Sequence, residues 1–345
     1  MPPVNTPAHP AEGVRIAVVG LGLIGRQRVD ALHRIAGARL VATVDPSVSP
    51  KPGEHEVPHY RSVSEVPPDG FDCAVVAVPH NVAVDIARQL LGAGRAILIE
   101  KPLGVSSADA RELEALAAVL ERSSFVGYNY RYLPAIAEMM RRAQAGDLGR
   151  LRNLDLLVGH GGNPRSGEGW KLDPRLAGGG VLLDPGVHLL DLLLRLAPEV
   201  RCSNIEATSG FWPSGIEEDV VANFRHERMI GTVRVSHVRW VNTFRVELFG
   251  EDGYAIADGR GGNYGPMTLR IGRRWAWTQA GVVSQRESEQ TWDYGGHNDS
   301  LYDELADVVA RWRGDGPAAQ QPRPASMSEA RAITELCEQL YALIS

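Results

Sequence analysis

The first third of the chain alternates continuous apolar runs with amphipathic stretches. The runs Val14 to Gly20 and Ala38 to Asp45 flank LIGRQRVDALHRIA, in which apolar residues recur at helical spacing. Three more apolar runs follow, again with helical patterns between them. Strands that are apolar at every position are typical of a parallel sheet covered by helices on both faces. The pattern predicts a doubly wound α/β domain over residues 14–128.

The pattern changes in the second half of the chain. Segments such as VVANFRH, TFRVELFG and GYAIADG alternate apolar and polar residues and are separated by turn residues. Antiparallel strands with one buried face alternate in this way. Two amphipathic stretches, roughly Asp299 to Arg313 and Ser328 to Leu343, predict closing helices. We therefore predict a second, strand-rich α/β unit over residues 129–345, whose terminal helix is a candidate to pack back on the first.

Composition narrows the class of protein. The chain has 345 residues, 44% of them hydrophobic, and a net charge of −6, which disfavours nucleic acid or an anionic membrane as a partner. Cys73, Cys202 and Cys337 are too few for a disulfide framework. Residues 1–13 lack the basic and apolar regions of a signal peptide and predict a flexible tail. A cytoplasmic protein with a small-molecule partner is expected.

Three glycines lie between the first two predicted strands. GLGLIG places Gly20, Gly22 and Gly25 in the pattern G-x-G-x-x-G, and Asp45 closes the next strand at the distance that the dinucleotide fingerprint requires. The first glycine permits a tight turn, the second lets backbone amides approach a pyrophosphate, and the third lets helix and strand pack closely. Asp45 would bind the ribose hydroxyls and repel a 2′-phosphate, so NAD is expected rather than NADP.

Lysine is rare in this chain. Among 36 basic residues, only Lys51, Lys101 and Lys171 are lysines. In ILIEKPLG, Glu100 and Lys101 come just after the carboxyl end of a strand, at the edge where open α/β sheets bind ligands. Because arginine cannot supply a compact, titratable ammonium, Lys101 is a candidate for catalysis. A surface lysine in a turn is the alternative.

GGGVLLDPGVHLLD places two polar residues at the start of an apolar helix. Asp184 and His188 are four residues apart and therefore share a helix face. An active-site pair is one interpretation. The alternative is an Asp184 helix cap with Pro185 at the first helical position and a His188 that is only a core residue. The string HEVPH contains Pro58 and lies among prolines, so no zinc helix and no metal are expected.

Four motifs carry a resemblance to a known family. The glycine-rich turn, EKP, GYNYRYLP and GGGVLLDPGVHLLD, in this order, resemble the glucose-fructose oxidoreductase and inositol dehydrogenase (Gfo/Idh/MocA) family from Val14 to about Leu196. The resemblance implies a Rossmann doubly wound parallel sheet followed by a C-terminal α/β domain with a large open, mostly antiparallel sheet. That sheet often carries the oligomer contact in the family, so a homo-oligomer is expected.

The resemblance also assigns residues. It implies that Lys101, Asp184 and His188 are catalytic and bind substrate together with Arg131 and Trp170, and that the bond from Lys101 to Pro102 is cis. Cofactor contacts are expected at Gly20, Gly22, Leu23, Ile24, Gly25, Asp45, Val78, Pro79, Glu100, Lys101 and Asn129. In one departure, the chain has Val78 and Ala83 where the family often has Thr and His, which leaves His80 and Asn81 as candidates for contacts with the nicotinamide ribose.

These residues predict NAD-dependent oxidation or reduction of a sugar, cyclitol or related polyol. His188, whose ordinary pKa is about 6.5, would take the hydroxyl proton, and Lys101 would stabilise the developing alkoxide. Asp184 would orient Lys101, and Asp191 would hold the imidazole. The sequence leaves open which of Lys101 and His188 accepts the proton. An NAD-dependent glycosidase with transient oxidation and a sugar or dinucleotide sensor without catalysis remain alternatives.

Overall fold

The computed structural model describes residues 13–50, 56–162, 173–274, 276–278, 281–283, 289–315 and 322–344. Trp170 and nearly all of the predicted tail lie outside these residues. The strands are β1 (Val14–Val19), β2 (Ala38–Val44), β3 (His59–Tyr60), β4 (Cys73–Val76), β5 (Ala96–Glu100), β6 (Phe125–Gly127), β7 (Leu151–Gly159), β8 (Arg201–Thr208), β9 (Asp219–His226), β10 (Met229–Ser236), β11 (Thr243–Gly250), β12 (Gly253–Asp258), β13 (Thr268–Arg273), β14 (Ala276–Thr278), β15 (Gly281–Val283), β16 (Gln290–Asp293) and β17 (Ala325–Ser326).

Eight α-helices accompany these strands within the described residues. They are α1 (Leu23–Leu32), α2 (His80–Gly92), α3 (Ser107–Ala118), α4 (Pro134–Gln144), α5 (Pro174–Ala177), α6 (Val187–Leu196), α7 (Ser300–Arg313) and α8 (Met327–Ile344). The two closing helices that the sequence predicted correspond to α7 and α8.

The first sheet has the strand order β17-β6-β5-β4-β1-β2-β3. Strands β1 to β6 are all parallel, and β17 pairs antiparallel with β6 at the edge. β1 and β4 are buried along nearly their whole length, as expected for a sheet covered on both faces. This order is that of the Rossmann fold, and it reverses between β1 and β4, where such sheets bind dinucleotides. The predicted fold of the first half is confirmed.

The second sheet has the order β16-β13-β12-β11-β7-β10-β9-β8. Only β7 and β10 are parallel, and every other neighbouring pair is antiparallel. Buried and half-buried positions alternate along β9 and β11, and helices α4 and α6 pack on the buried face. The expectation of a large, mostly antiparallel sheet is confirmed.

The C-terminal elements pack on the first sheet's helices. Helix α7 lies on α1, where the Arg28 guanidinium donates to the backbone oxygen of Leu301 at 2.7 Å, and α8 lies on α3, where Arg111 pairs with Glu335. From the sequence, only the terminal helix was expected to pack back on the first unit. In the structure, α7, β17 and part of α8 therefore pack against elements of residues 14–128.

Candidate active site

The glycine-rich loop follows β1 and leads into α1. Gly20 has a φ of +95°, and a Cβ atom there would collide with the backbone oxygen of Ala77. A Cβ atom on Gly25 would collide with the backbone oxygen of Gly20. Gly22 differs, because its φ is −67° and a Cβ atom would meet nothing within 4 Å. The fold itself requires Gly20 and Gly25, whereas Gly22 borders open space at the uncapped N-terminus of α1, which fits a pyrophosphate.

Apolar residues border this loop. Leu23, in the first turn of α1, has 76% of its surface exposed, and Ile24 is also exposed. Val78 and Pro79 are half-buried after β4, and Val78 Cγ1 lies against Gly20. The predicted cofactor residues that follow β1 and those that follow β4 are therefore neighbours in the structure. Their contact with a cofactor stays a prediction.

Asp45 lies at the end of β2 and faces the glycine-rich loop. Its Oδ2 accepts a hydrogen bond from the backbone amide of Leu21 at 2.8 Å, and its Oδ1 accepts from the amides of Ser47 and Val48 at 2.8 Å. The carboxylate thus braces the loop before any ligand binds, a role that the sequence did not indicate. Its predicted contact with ribose is untested.

Lys101 and Asp184 meet between the two units. The Lys101 ammonium donates to Asp184 Oδ1, and both side chains are mostly buried. The Lys101–Pro102 bond is cis, as expected, and the Asp184–Pro185 bond is cis as well. Asp184 has extended backbone angles, and α6 begins only at Val187. Extended angles are also those of a residue that caps a helix, so the alternative in which Asp184 caps the segment beginning with Pro185 stays open.

His188 lies in the first turn of α6. Only 5% of its surface is exposed. Its ring stacks on Tyr130, with centroids 4.0 Å apart and planes 9° apart, and Tyr128 packs edge-on at 5.8 Å. Two tyrosines of the GYNYRYLP motif therefore fix the plane of the imidazole.

Arg131 and Asp191 form a buried pair rather than separate parts of the site. Arg131 is 2% exposed, its Nε and Nη2 donate to the two oxygens of Asp191, and Nη1 contacts Glu329 on α8. The arginine was expected at the substrate and the aspartate at the imidazole. The structure adds a role that the sequence did not indicate, because a guanidinium buried at this depth needs its own counter-charge. The expected contacts of Arg131 with substrate and of Asp191 with the imidazole stay predictions.

Glu100 also forms an ion pair with a buried arginine. The fully buried Arg28 of α1 donates to Glu100 at 2.8 Å and to Glu304 of α7 at 2.6 Å. The Glu100 side chain thus ties the end of β5 to helix α1 and, through Arg28, to α7, whereas its predicted contact with the cofactor is untested. Burial away from water, only partly offset by Arg28, raises the pKa of Glu304 to about 7.

Asn129 lies after β6, near the same edge of the first sheet. Its Nδ2 donates to Ser300 Oγ at 2.7 Å, and Ser300 Oγ donates to Asn298 Oδ1 at 2.7 Å. The side chain is therefore oriented by the start of α7. Its predicted contact with the cofactor is untested.

A pocket beside Asp184 contains residues that the sequence did not single out. Its volume is about 440 Å³, including the space open to solvent. It is lined by His80, Ala177, Gly179, Gly180, Asp184, Trp212, Ser214, Ile216, Glu217, Glu218 and His237. The sequence analysis had no reason to select His237, which follows β10, or Trp212, which lies in a loop. His237 falls inside a segment that the alternation predicts as a strand, where it is expected on a sheet face, and the sequence contains no signal for Trp212.

Glu217 fixes the segment that leads to Asp184. Its carboxylate accepts from the backbone amides of Gly180 at 2.9 Å and Leu182 at 3.2 Å. Tyr341 of α8 donates to it at 2.6 Å, and burial raises the pKa of this tyrosine, which stays protonated. The C-terminal helix thereby helps to hold the Asp184 loop in place.

The arrangement can support proton transfer next to a bound dinucleotide. The Lys101 ammonium and the Asp184 carboxylate meet just after the carboxyl end of β5, and His188 follows the carboxylate by four residues. The glycine-rich loop lies at the same carboxyl edge, where the strand order reverses. No group of three or more His, Cys, Asp or Glu residues suited to a metal ion occurs among the described residues.

Comparison with known proteins agrees with this geometry. Residues 14–128 match the model "Oxidoreductase family, NAD-binding Rossmann fold", and residues 136–256 match the "GFO/IDH/MocA C-terminal domain". A putative UDP-kanosamine synthase oxidoreductase subunit of Amycolatopsis mediterranei is 34% identical over 60% of each chain. Inositol 2-dehydrogenase 1 of Saccharopolyspora erythraea is 33% identical over 39% of this chain and 43% of that one. The matches to these two relatives thus span about half of their length.

The fold is found in a solved structure as well. A levoglucosan dehydrogenase in complex with NADH has a TM-score of 0.80 over 96% of both chains, at 15% identity. At this identity, the likeness concerns the fold alone. The two family models, which together match most of the chain, carry the assignment. The chain belongs to the Gfo/Idh/MocA family of NAD(P)-dependent oxidoreductases.

Proposed function

We propose that the protein transfers a hydride between NAD and a secondary alcohol or ketone of a sugar, cyclitol or related polyol. The observation that carries the proposal is the contact of Lys101 with Asp184 across the two units, four residues before His188 in the chain. The relatives named for inositol and UDP-kanosamine support the same substrate class.

In the proposed oxidation, His188 accepts the hydroxyl proton from its fixed position against Tyr130. Lys101 donates a hydrogen bond to the same oxygen and stabilises its developing negative charge. Asp184 orients the ammonium by accepting its hydrogen bond. A bound nicotinamide cofactor would supply the hydride acceptor. In reduction, the same groups act in the opposite direction.

Residues of the first unit fit NAD. The free amides at the start of α1, beside the open space at Gly22, would bind the pyrophosphate. Asp45, already at the loop, would accept from the ribose hydroxyls, and its charge would repel a 2′-phosphate. We therefore propose NAD as the preferred cofactor, with NADP bound more weakly.

We further propose a cytoplasmic homo-oligomer. The half-buried face of the second sheet carries polar side chains such as Asp155, Thr232 and Glu247 and is the proposed contact. Sedimentation would give the oligomeric state. Free cysteines and the net charge of −6 support the cytoplasm and a small-molecule partner, with no role for nucleic acid. None of the described helices has the length and apolar character needed to cross a membrane.

The test is a screen of sugars and cyclitols with NAD and with NADP. We expect NADH absorbance with at least one substrate. Lys101→Met and His188→Ala should lose turnover by at least about a hundredfold, the range seen when a group that stabilises the transition state is removed. Both should still quench tryptophan fluorescence on binding NAD. His226→Ala, at the end of β9, is the control and should keep full activity.

Three results would contradict the proposal. Sugar release without net NADH would show a glycosidase. NAD binding without turnover on any sugar or cyclitol would favour a sensor. Unchanged turnover in both Lys101→Met and His188→Ala would place the chemistry elsewhere.

A further inference from the structure

Arg260 occupies a rigid turn between β12 and β13. Gly259, Gly261 and Gly262 all have positive φ angles, which only glycine adopts readily. The Gly259 amide donates to the backbone oxygen of Phe244 at 2.9 Å, and the backbone oxygen of Arg260 accepts from Asn298 Nδ2 at 2.9 Å. The backbone of this arginine is therefore fixed on both sides.

The Arg260 guanidinium extends toward the catalytic residues. It lies 3.9 Å from the ring centre of Tyr264 and 5.2 Å from that of Tyr130. Tyr130 in turn stacks on His188 at 4.0 Å. The guanidinium carbon is 5.2 Å from the Tyr130 ring centre, which is 4.0 Å from the imidazole centre, so it lies at most 9.2 Å from the centre of the imidazole.

The charge of Arg260 has no counter-charge within the described part of the chain. The residue is half-buried, its Nε atom is buried without a hydrogen-bond partner there, and no carboxylate of the described residues forms an ion pair with it. Buried Arg28 and Arg131 show the usual solution in this protein, since each contacts two carboxylates. A buried donor of a charged group that has no hydrogen-bond partner is energetically unfavourable.

The tyrosines offset this cost only in part. Cation–π contacts with Tyr264 and Tyr130 involve the flat faces of the guanidinium and leave its N–H edge available. Burial raises the pKa of Tyr130 to about 12, so its phenol stays neutral and supplies no anion. An anion that reaches this N–H edge would accept two parallel hydrogen bonds.

The turn is also linked to the predicted cofactor side of the cleft. Asn298, which holds the backbone of Arg260, accepts hydrogen bonds from Ser300, and Ser300 accepts one from Asn129. This chain of hydrogen bonds therefore fixes the position of Arg260 relative to Asn129. A substrate whose reacting carbon lies at His188 and Lys101 would have its far side within reach of Arg260.

We propose that Arg260 binds an anionic group, a carboxylate or a phosphate, on the far side of a sugar or cyclitol ring from the reacting carbon. The inference rests on the proposed function and narrows its substrate class to sugar acids or sugar phosphates. The half-buried Tyr264, whose ring lies under the guanidinium, would pack against the substrate ring.

The test compares matched substrates on the full chain with saturating NAD. The probes are glucose, glucuronate and glucose 6-phosphate, together with myo-inositol and its monophosphate, assayed by turnover and by thermal shift. We expect at least one charged probe to exceed its neutral counterpart at least tenfold in kcat/KM. Glucuronate against glucose 6-phosphate distinguishes carboxylate from phosphate. Arg260→Gln should remove the preference, leave neutral probes within about threefold, and leave NAD affinity unchanged.

Arg245→Gln is the control, because Arg245 lies on the neighbouring β11 and pairs with Glu247 and Asp258. It should keep the preference for the charged probe. Arg260→Lys keeps the positive charge but lacks the two parallel N–H donors of a guanidinium, so it should retain part of the preference for the charged probe. This second variant tests the inference even if Arg260→Gln does not fold. No charged preference in either series, or an equal loss for neutral and charged probes, overturns the inference. Turnover of neutral probes alone overturns this inference but not the proposed function, whereas no turnover of any substrate contradicts both.

Discussion

Glu304→Gln should make the protein more stable at alkaline pH. Glu304 is fully buried on α7, and one of its oxygens binds Arg28 while the other, Oε1, has no partner among the described residues. Arg28 also serves Glu100, so two carboxylates share one guanidinium. The Arg28 site therefore holds one more negative charge than positive charge. Glutamine at position 304 removes the extra negative charge and keeps an oxygen that accepts from Arg28.

The size of the effect follows from the pKa of Glu304. Burial raises this pKa from 4.5 to about 7 in the folded protein, so the folded state holds the proton more tightly than the unfolded state. The stability that this provides is fully present below pH 4.5 and is lost as the pH rises through 7. Between pH 5 and pH 8, the loss is on the order of 2.5 kcal/mol. Glutamine does not titrate, so Glu304→Gln escapes this loss.

Urea unfolding of both proteins at pH 5, 6.5 and 8 measures the difference. We expect Glu304→Gln to gain about 2–3 kcal/mol over the parent between pH 5 and pH 8. The control is Glu138→Gln, because arginines hold the pKa of Glu138 at about 2 and its stabilisation is lost only as the pH falls. Equal pH profiles for Glu304→Gln and the parent would refute a raised pKa for Glu304.

Three more predictions concern the cofactor loop and the Asp184 segment. Gly22→Ala should leave the melting temperature unchanged and weaken NAD binding at least tenfold. Gly25→Ala should instead lower the melting temperature, because its Cβ atom would collide with backbone. Equal effects of the two substitutions on melting temperature would contradict this distinction. Asp45→Asn keeps an acceptor for the loop but removes its charge, so the ratio of NADP to NAD affinity should rise about tenfold in a fluorescence titration. Tyr341→Phe removes a hydrogen bond to the Glu217 carboxylate, so unfolding should cost about 1.5–3 kcal/mol less and kcat should fall with NAD affinity unchanged.

The nucleotide-binding half was predictable because its determinants are local. Continuous apolar runs predicted buried parallel strands, and glycine spacing predicted the loop that Gly20 and Gly25 form. Alternation predicted the antiparallel strands of the second sheet in the same way. Each of these patterns reflects the geometry of a short segment and needs no distant contact.

The partners of charged residues were not predictable in this way. Asp191 was expected to hold His188, yet it pairs with Arg131, 60 residues away along the chain. Glu100 was expected at the cofactor, yet it shares Arg28 with Glu304 on a helix near the other end of the chain. A buried charge takes whichever opposite charge the fold brings within reach, and spacing along the chain does not encode that choice.

The sequence by itself determined the two-sheet architecture, the glycine-rich loop and the identity of Lys101, Asp184 and His188 as the residues to examine. The tertiary structure decided that Lys101 and Asp184 touch, because they lie 83 residues apart along the chain. It alone showed that Arg260 lies close to His188 without a carboxylate in the described chain. The reason is physical: local patterns fix each segment, whereas contacts between segments depend on how complete layers pack.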